Sequence, residues 1–359
     1  VLLTATGLRK IIFDAIPHVV KAAIPAGIGL FIAFLGLQDA KLVIPSESTG
    51  VTLASFNLLG GAGWGAVMPL IVAVFSLLLI AVLSHKKVKG SILWGILGGT
   101  GLYYILGFTV KDFYKGFAET LSFNPFKPFS AFASEAFGKV FTEGFDFSAY
   151  LSADGHSVGG LVILFITTAL AFCMVDMFDT LGTLYGACRG GNLLVKNDRG
   201  ELEVPNMDRA MMADAVATCT GSVLGTSTVT TFVESSAGVA AGGKTGVTSL
   251  VTAAAFAVAL FFAPIAKLIP PYAYGAALIY VGVLMIGSVK DIDWKDVSVS
   301  VPAFLTIAMM PFTYNISYGI AFGLFSYVII KAFCGEIKQI KIGTWVVTAL
   351  FIAMFFLTH

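Results

Sequence analysis

An apolar stretch over residues 161–187 contains two acidic residues and two threonines that could form a site. Spacings of three, four and seven residues place four side chains on one helical face: Asp176, Asp179, Thr180 and Thr183. A carboxylate inside a membrane is costly and usually marks a transport pathway, a proton relay or a ligand site. The alternative is a buried aspartate capped by the neighbouring threonine hydroxyls, in which case the cluster serves packing alone.

A second polar group lies in the motif Gly225-Thr-Ser-Thr-Val-Thr-Thr-Phe-Val-Glu-Ser-Ser-Ala-Gly238. Threonine and valine are β-branched and favour extended backbone, so a short extended segment is predicted near 226–233. The chain then restarts as a helix around Glu234, and the positive end of that helix could bind a polar ligand. Such a broken helix is tolerated at membrane depth only where protein or a cavity surrounds it. The alternative is a re-entrant hairpin in which Glu234 only stabilises the start of the helix.

Other polar groups are interpreted as structural. Asp208, Arg209 and Asp214, near the start of one segment, are expected to form an interfacial cap and ion pair. Tyr314 and Asn315 separate two short apolar segments and are expected to form a turn. The histidines are scattered without metal-ligand spacing, so no metal site is predicted.

Residues 238–245 match the nucleotide-binding pattern G-x-x-x-x-G-K-[ST] letter for letter. That pattern binds phosphate only with a parallel sheet behind it and a soluble face in front. Here it joins two apolar segments, so a tight turn followed by a cytoplasmic Lys244 is the simpler interpretation. An ATPase would lose ATP hydrolysis on Lys244→Ala.

The elements that carry these groups are expected to lie in a membrane. The chain has 359 residues, of which 57% are hydrophobic, and its mean hydropathy is +0.89. Only 12% of the residues are charged, against about 25% in a typical soluble domain. This composition excludes an ordinary soluble enzyme, a disordered chain and a disulfide-rich secreted domain. The net charge of +1 provides no basic field for nucleic acid.

About ten or eleven segments are long and apolar enough to cross a membrane or to lie inside one. They lie at 18–37, 65–83, 91–110, 158–188, 209–224, 229–241, 246–269, 275–289, 299–313, 316–333 and 342–358, of which the last could instead lie in the interface. Lysine and arginine concentrate in alternate short connections, which places those connections in the cytoplasm. The connection 111–157 then falls on the outer side, where its phenylalanines predict amphipathic pieces on the membrane, with a ligand lid as the alternative.

The sequence also contains a weak internal repeat. Ile16-Pro17 followed by Gly29–Gly36 resembles Ile269-Pro270 followed by Gly282–Gly287. Repeated membrane units are typical of transporters, whose related halves move about a central site. Two units of equal length would need roughly 95 further residues upstream, enough for about four spans. We therefore expect the chain to lack the first four transmembrane segments of such an architecture.

Several long motifs together resemble the AzgA-like branch of the nucleobase–cation symporter family, within the xanthine/uracil permeases. They are Asp176–Thr183, Gly225–Gly238, Gly242–Gly246, Gly287–Trp294, Pro302-Ala-Phe-Leu-Thr and Met310–Tyr314. This branch contains purine permeases for adenine or for guanine and hypoxanthine. The resemblance implies an all-α polytopic membrane protein with a 7+7 inverted-repeat transporter fold, built from a core domain and a gate domain.

On that scheme the chain divides into five parts. Residues 1–110 are gate segments of the first repeat, with the tail of a missing core segment at 1–8. Residues 111–157 are the outer-side amphipathic connection, and 158–269 are the second half of the core domain, which carries the site. Residues 275–333 are gate segments of the second repeat, and 334–359 are a C-terminal apolar or interfacial segment. The opposing broken helix of the first core half is expected to be missing, so this chain is expected to be an incomplete fragment that does not transport alone.

The resemblance also implies roles for particular residues. Glu234 matches the carboxylate that accepts hydrogen bonds from the nucleobase, and Asp179 matches an acidic position implicated in base binding and proton coupling. The candidate substrate-binding residues are Glu234, Asp179, Thr183, Ser235 and Thr231, and the candidates for proton coupling are Asp179, Glu234 and Asp176.

The implied activity is proton-coupled uptake of adenine, or of guanine and hypoxanthine, across the cytoplasmic membrane, in which the protein is multi-pass. The expected partners are a purine nucleobase, the lipid bilayer and, as one option, a second copy of the chain in a homodimer. The proton is the coupling ion, and no cofactor, no metal and no nucleic acid are expected.

Two other functions stay open from the residues alone. One is an anion transporter of the same architecture, although a carboxylate at the helix start would repel its ligand. The other is a membrane enzyme that uses Asp176 and Asp179 as an acid–base pair, because two carboxylates on adjacent helical turns could share a proton.

Overall fold

A computed structural model describes residues 2–58, 61, 63–110, 130, 132–152, 157–196, 202–262, 266 and 268–358. The described residues are mostly helical, which confirms the prediction of a polytopic helical protein. They group into two compact units. One unit draws on residues 1–30, 131–235 and 285–359, and the other draws on 31–130 and 236–284. All the predicted site residues belong to the first unit.

The first part of the chain begins with two short helices and continues with three long ones. Its helices are α1 (Leu2–Ala5), α2 (Leu8–Ala15), α3 (His18–Asp39), α4 (Trp64–His85) and α5 (Ser91–Gly107). Strands β1 (Val43–Ser46) and β2 (Gly50–Leu53) form an antiparallel hairpin between α3 and α4. A π-helical turn at Phe132–Ala136 then precedes two single-turn helices, α6 (Lys139–Thr142) and α7 (Ser148–Leu151).

The second part begins with a helix of 33 residues, α8 (Val158–Gly190). A small antiparallel hairpin follows, formed by β3 (Val195–Lys196) and β4 (Leu202–Glu203). The next helices are α9 (Met207–Leu224), α10 (Ser235–Ala240), α11 (Gly246–Phe261) and α12 (Pro271–Ile286), which continues as a 3-10 turn at Gly287–Asp291. The chain ends with α13 (Val297–Thr313), α14 (Ile316–Phe333), a 3-10 turn at Ile337–Gln339 and α15 (Ile342–Thr358).

These helices agree closely with the predicted spans. Within the described residues, α3, α4, α12 with its 3-10 extension, and α14 are long and apolar enough to cross a membrane. Helices α5, α11, α13 and α15 contain shorter apolar stretches. The segment predicted at 229–241 is helical only over Ser235–Ala240, because residues 226–232 leave the helical conformation as the β-branched run predicts.

Helices α13 and α14 form a hairpin around Tyr314 and Asn315. Tyr314 ends α13 in the left-handed conformation, with φ 54°. The Asn315 side chain accepts the N–H of Ser317 at 2.9 Å and the N–H of Tyr318 at 3.3 Å, which satisfies two donors at the start of α14. Asp296 caps the start of α13 in the same way. The turn predicted at Tyr314 and Asn315 is therefore confirmed.

In the second unit, α3 and α12 meet at a pair of glycines. A Cβ atom on Gly36 would lie 2.5 Å from the carbonyl oxygen of Gly275. A Cβ atom on Gly275 would in turn lie 2.8 Å from the carbonyl oxygen of Gly36. The two main chains are therefore in direct contact, a close approach that small residues permit between membrane helices.

In the first unit, the apolar side of α8 is buried from Met177 onward. A Cβ atom on Gly182 would lie 2.5 Å from Ile28 and 2.6 Å from Ile24, so α8 packs tightly on α3. Phe178 is fully buried and stacks on Phe351 of α15, with ring centroids 5.0 Å apart. These apolar contacts fix the rotation of α8 and hence the direction of its polar face.

Of the remaining predictions, only the one for the nucleotide-binding pattern can be compared directly with the structure. Residues 238–245 join α10 to α11 through Gly242 at φ 106°, and the strands of the described residues form only two small hairpins, so no parallel sheet lies behind this loop there. Most of the connection predicted to lie on the membrane (111–129, 131 and 153–156) falls outside the described residues. The division into core and gate segments and the inverted repeat stay predictions.

Candidate functional site

Helix α8 carries the first predicted cluster on continuous helical backbone. Thr180 and Thr183 are fully buried, whereas Asp176 and Asp179 are half-buried. The hydroxyl oxygen of Thr183 is buried and forms no hydrogen bond with any of the described residues. The polar face is therefore partly engaged with the protein and partly open.

Asp176 pairs with an arginine from the N-terminal part of the chain. Arg9 lies on α2, is only 3% exposed, and places its Nη2 atom 2.8 Å from Oδ2 of Asp176. Its Nη1 atom donates to the main-chain oxygen of Met211 at 3.3 Å and lies 3.8 Å from Oδ2 of Asp214. The guanidinium thus bridges an acidic residue of α8 and an acidic residue of α9, which is the planar, multiply donating geometry that arginine provides.

Asp214 is the most highly connected carboxylate of the cluster. It is 6% exposed, and its Oδ2 atom accepts the hydroxyl of Thr180 at 2.8 Å. Its Oδ1 atom accepts both the backbone N–H of Thr231 at 2.9 Å and the hydroxyl of Thr231 at 3.1 Å. An ionised carboxylate offers about four acceptor positions, so most of this capacity is used inside the protein.

Residues 226–232 have no regular secondary structure. This stretch, which is predicted to be extended and is called the extended segment below, is fixed by side chains on both sides. Thr180 of α8 and Thr230 share a hydrogen bond between hydroxyls at 3.0 Å. Thr218 of α9 donates its hydroxyl to the main-chain oxygen of Val229 at 2.7 Å. Asp214 and these threonines therefore replace the hydrogen bonds that the segment loses by leaving the helical conformation.

The extended segment leads directly to Glu234 and Ser235. Both side chains are exposed, and Ser235 is the first residue of α10. Asp176, Asp214 and Glu234 are all near enough to Asp179 to interact with it electrostatically. Neither Asp179 nor Glu234 forms a hydrogen bond or an ion pair within the described part of the chain. These two acids are therefore the members of the cluster that remain available to a ligand.

The structure thus brings together most of the predicted residues but gives them different surroundings. The side chains of Asp176 and Thr231 are engaged by protein partners. The side chains of Asp179, Thr183, Glu234 and Ser235 have no hydrogen-bond or ion-pair partner among the described residues.

The expected interfacial cap and ion pair at the start of α9 is wrong for Asp214. Asp208 and Arg209 lie in the exposed first turn, whereas Asp214 lies two turns further along and is buried against α8 and the extended segment. Arg9 was not among the predicted site residues. For Asp214 and for Arg9, the only signal in the sequence is a charged residue within apolar surroundings. The residues that these two side chains contact lie far away along the chain, so the sequence does not indicate them.

Comparison with known proteins gives the family of the chain. Residues 1–322 match the family model of the xanthine/uracil permeases, which is described as a permease family. The chain is 38% identical over 356 residues to the putative permease MJ0326 of Methanocaldococcus jannaschii, with 99% of this chain and 72% of the relative covered. It is 36% identical to the guanine/hypoxanthine permease PbuO of Bacillus subtilis (99% and 74% covered) and 32% identical to the adenine permease AdeQ of Escherichia coli (98% and 70% covered).

The chain belongs to this permease family. It is a multi-pass transport protein of the cell membrane and not an enzyme, so the interpretation of Asp176 and Asp179 as a catalytic acid–base pair is excluded. The resemblance inferred from the motifs is confirmed.

Proposed function

We propose that the intact protein takes up purine nucleobases, adenine or guanine and hypoxanthine, together with protons. The main observation in support is that Asp179 and Glu234 have no protein partner among the described residues, although both lie beside a tightly hydrogen-bonded segment. The relatives named as adenine and guanine/hypoxanthine permeases support the same substrate class.

The chemistry of these acids suits a purine. A purine base is neutral and planar, and its edge carries N–H donors beside ring acceptors. A carboxylate can accept two such donors, and a hydroxyl can donate to a ring nitrogen. Glu234 and Asp179 would supply the acceptors, and Ser235 and Thr183 would supply hydroxyl groups. Thr231 would contribute mainly by positioning, because its hydroxyl and its N–H already donate to Asp214.

The proximity of the acids supports proton coupling. A proton on Asp179 or Glu234 changes the acceptors that the base meets, so protonation and base binding are thermodynamically linked. Asp176 would take part only if its ion pair with Arg9 opened. Moving one charge with each neutral base lets the membrane potential contribute about 2.3 kcal/mol per 100 mV.

The test is uptake of labelled purines by cells that lack their own purine permeases and express the complete gene for the intact protein. Uptake should fall at least tenfold in Glu234→Gln and in Asp179→Asn, while Glu47→Gln, which changes an exposed loop residue, should match the wild type. Wild-type uptake in both site variants would refute the assignment of the site.

Separate arms of the same assay test the coupling ion and the substrate class. A protonophore should abolish accumulation, and replacing sodium should not; the reverse result would refute proton coupling. Competition by sulfate, without competition by adenine, guanine or hypoxanthine, would instead indicate an anion transporter.

A further inference from the structure

Four acidic side chains lie in or beside the candidate site, and Arg9 lies within 4 Å of only two of them. The Arg9 guanidinium contacts Asp176 at 2.8 Å and lies 3.8 Å from Asp214. Asp179 and Glu234 interact with neither a cation nor a hydrogen-bond donor in the described ranges. The cluster is therefore divided into two acids engaged by the protein and two that are not.

We propose that Arg9 is a positioning residue for substrate binding. It holds Asp176 and Asp214 as structural acceptors and thereby sets the spacing between Asp179 and the main chain that leads to Glu234. This inference rests on the proposed function, because the two remaining acids are taken to contact the purine.

The contacts that transmit this effect are continuous. Arg9 holds Asp176 on α8, one turn before Asp179. It also lies beside Asp214, whose other contacts are Thr180 on the same helix and the N–H of Thr231 in the extended segment. A shift of Asp214 would therefore move the segment relative to α8, and Glu234 lies three residues beyond Thr231.

The burial and the geometry of Arg9 distinguish it from a surface arginine. It is 3% exposed, and its Nη1 atom also donates to the main-chain oxygen of Met211 at 3.3 Å and to the hydroxyl of Thr4 at 3.5 Å. Such a set of contacts needs donors that diverge from a rigid plane. A lysine has one ammonium group and cannot serve both aspartates in the same way.

Binding of labelled adenine, guanine and hypoxanthine to the purified intact protein tests the inference, with Kd and the number of binding sites measured separately. A merely structural role for Arg9 would reduce the number of sites, since less protein would fold, and leave Kd of the folded fraction unchanged. A positioning role raises Kd.

We expect Arg9→Gln to raise Kd at least tenfold and Arg9→Lys to raise it by a smaller factor. Arg209→Gln, at an exposed arginine of α9, is the matched control and should bind as the wild type does.

A double variant connects the effect to Asp176. If Arg9 acts through this acid, Arg9→Gln combined with Asp176→Asn should bind no more weakly than Arg9→Gln alone, because the partner charge is gone as well. If Arg9→Gln does not fold, the Kd values of Arg9→Lys and Asp176→Asn can be compared with that of the wild type instead, and a raised Kd is expected in both variants.

The outcomes separate this inference from the proposed function. Absence of purine binding by the wild type would overturn the proposed function, and this inference with it. Purine binding by the wild type, with unchanged Kd in the folded Arg9 variants, would overturn this inference alone.

Discussion

The backbone N–H of Thr231 donates to the carboxylate of Asp214 at 2.9 Å, so a side chain of α9 holds the main chain of the extended segment. The same carboxylate accepts the hydroxyl of Thr180 on α8 at 2.8 Å. One buried acidic residue thus joins two helices and a non-helical segment. Two predictions for stability and binding rest on its contacts.

Replacing Asp214 by asparagine should destabilise the protein and weaken purine binding. The asparagine amide has no negative charge, and its NH2 group would face the hydroxyl of Thr180 or of Thr231. Both hydroxyls donate to the carboxylate in the wild type, so one of them would lose its acceptor. Loss of charge-assisted hydrogen bonds at a buried position costs about 2–4 kcal/mol of unfolding free energy. Denaturant unfolding in detergent measures this cost. Asp14→Asn, at an exposed position of α2, is the control, and equal stability of the two variants would contradict the role given to Asp214.

Thr180→Val should lower stability more than Thr231→Val. Valine at position 180 removes the one hydroxyl that donates to Oδ2 of Asp214, which should cost about 1–2 kcal/mol. Valine at position 231 removes a hydroxyl but leaves the backbone N–H on Oδ1. Thr180→Ser keeps the donor and should recover most of the loss. The melting temperatures of the three purified variants give the order, and a larger effect at position 231 would refute it.

Alanine at Gly36 or Gly275 should separate α3 from α12. Each new Cβ atom would meet a main-chain oxygen, at 2.5 Å and 2.8 Å respectively, and a main chain cannot rotate away as a side chain can. Overpacking of this kind costs about 1–3 kcal/mol. Gly101→Ala on α5 is the matched control, since nothing lies within 4 Å of its new Cβ. Thermal unfolding that left all three variants alike would show that the contact between the main chains is not tight.

The cap at the start of α13 should stabilise the protein except at strongly acidic pH. Hydrogen bonds from Ser298 hold the pKa of Asp296 below its ordinary value of 3.8. A carboxyl whose folded pKa is lowered stabilises the folded state above its unfolded pKa and loses this contribution as the pH falls through the folded value. Asp296→Ala should therefore lower the melting temperature at pH 7 but not at a pH below the folded pKa. Asp296→Ser can still cap the helix, so its melting temperature should lie close to that of the wild type at both pH values.

Much of the fold could be predicted from the sequence because its signals are local. Apolar runs of the right length define the helices, and the β-branched residues from Thr226 to Val233 define the break before Ser235. Asp179 and Glu234 could be proposed as candidate site residues for the same reason, since each is an acid inside an apolar motif.

The partners of Asp214 and Asp176 could not be predicted, because they depend on contacts between distant parts of the chain. Arg9 precedes Asp176 by 167 residues, and neither helix alone indicates that the two side chains meet. Asp214 lies near two charged residues at the start of α9, so its position suggests an interface until the packing of α8 is known.

The attachment of segment 226–232 has a consequence for motion. Its hydrogen bonds to Asp214, Thr218 and Thr180 join it to α8 and α9, so these three pieces would travel as one rigid body during transport. Torsional freedom then remains at the turn of residues 233–234, which leads into α10. A hinge at this turn would let the exposed Glu234 be reoriented without breaking the buried hydrogen bonds behind it.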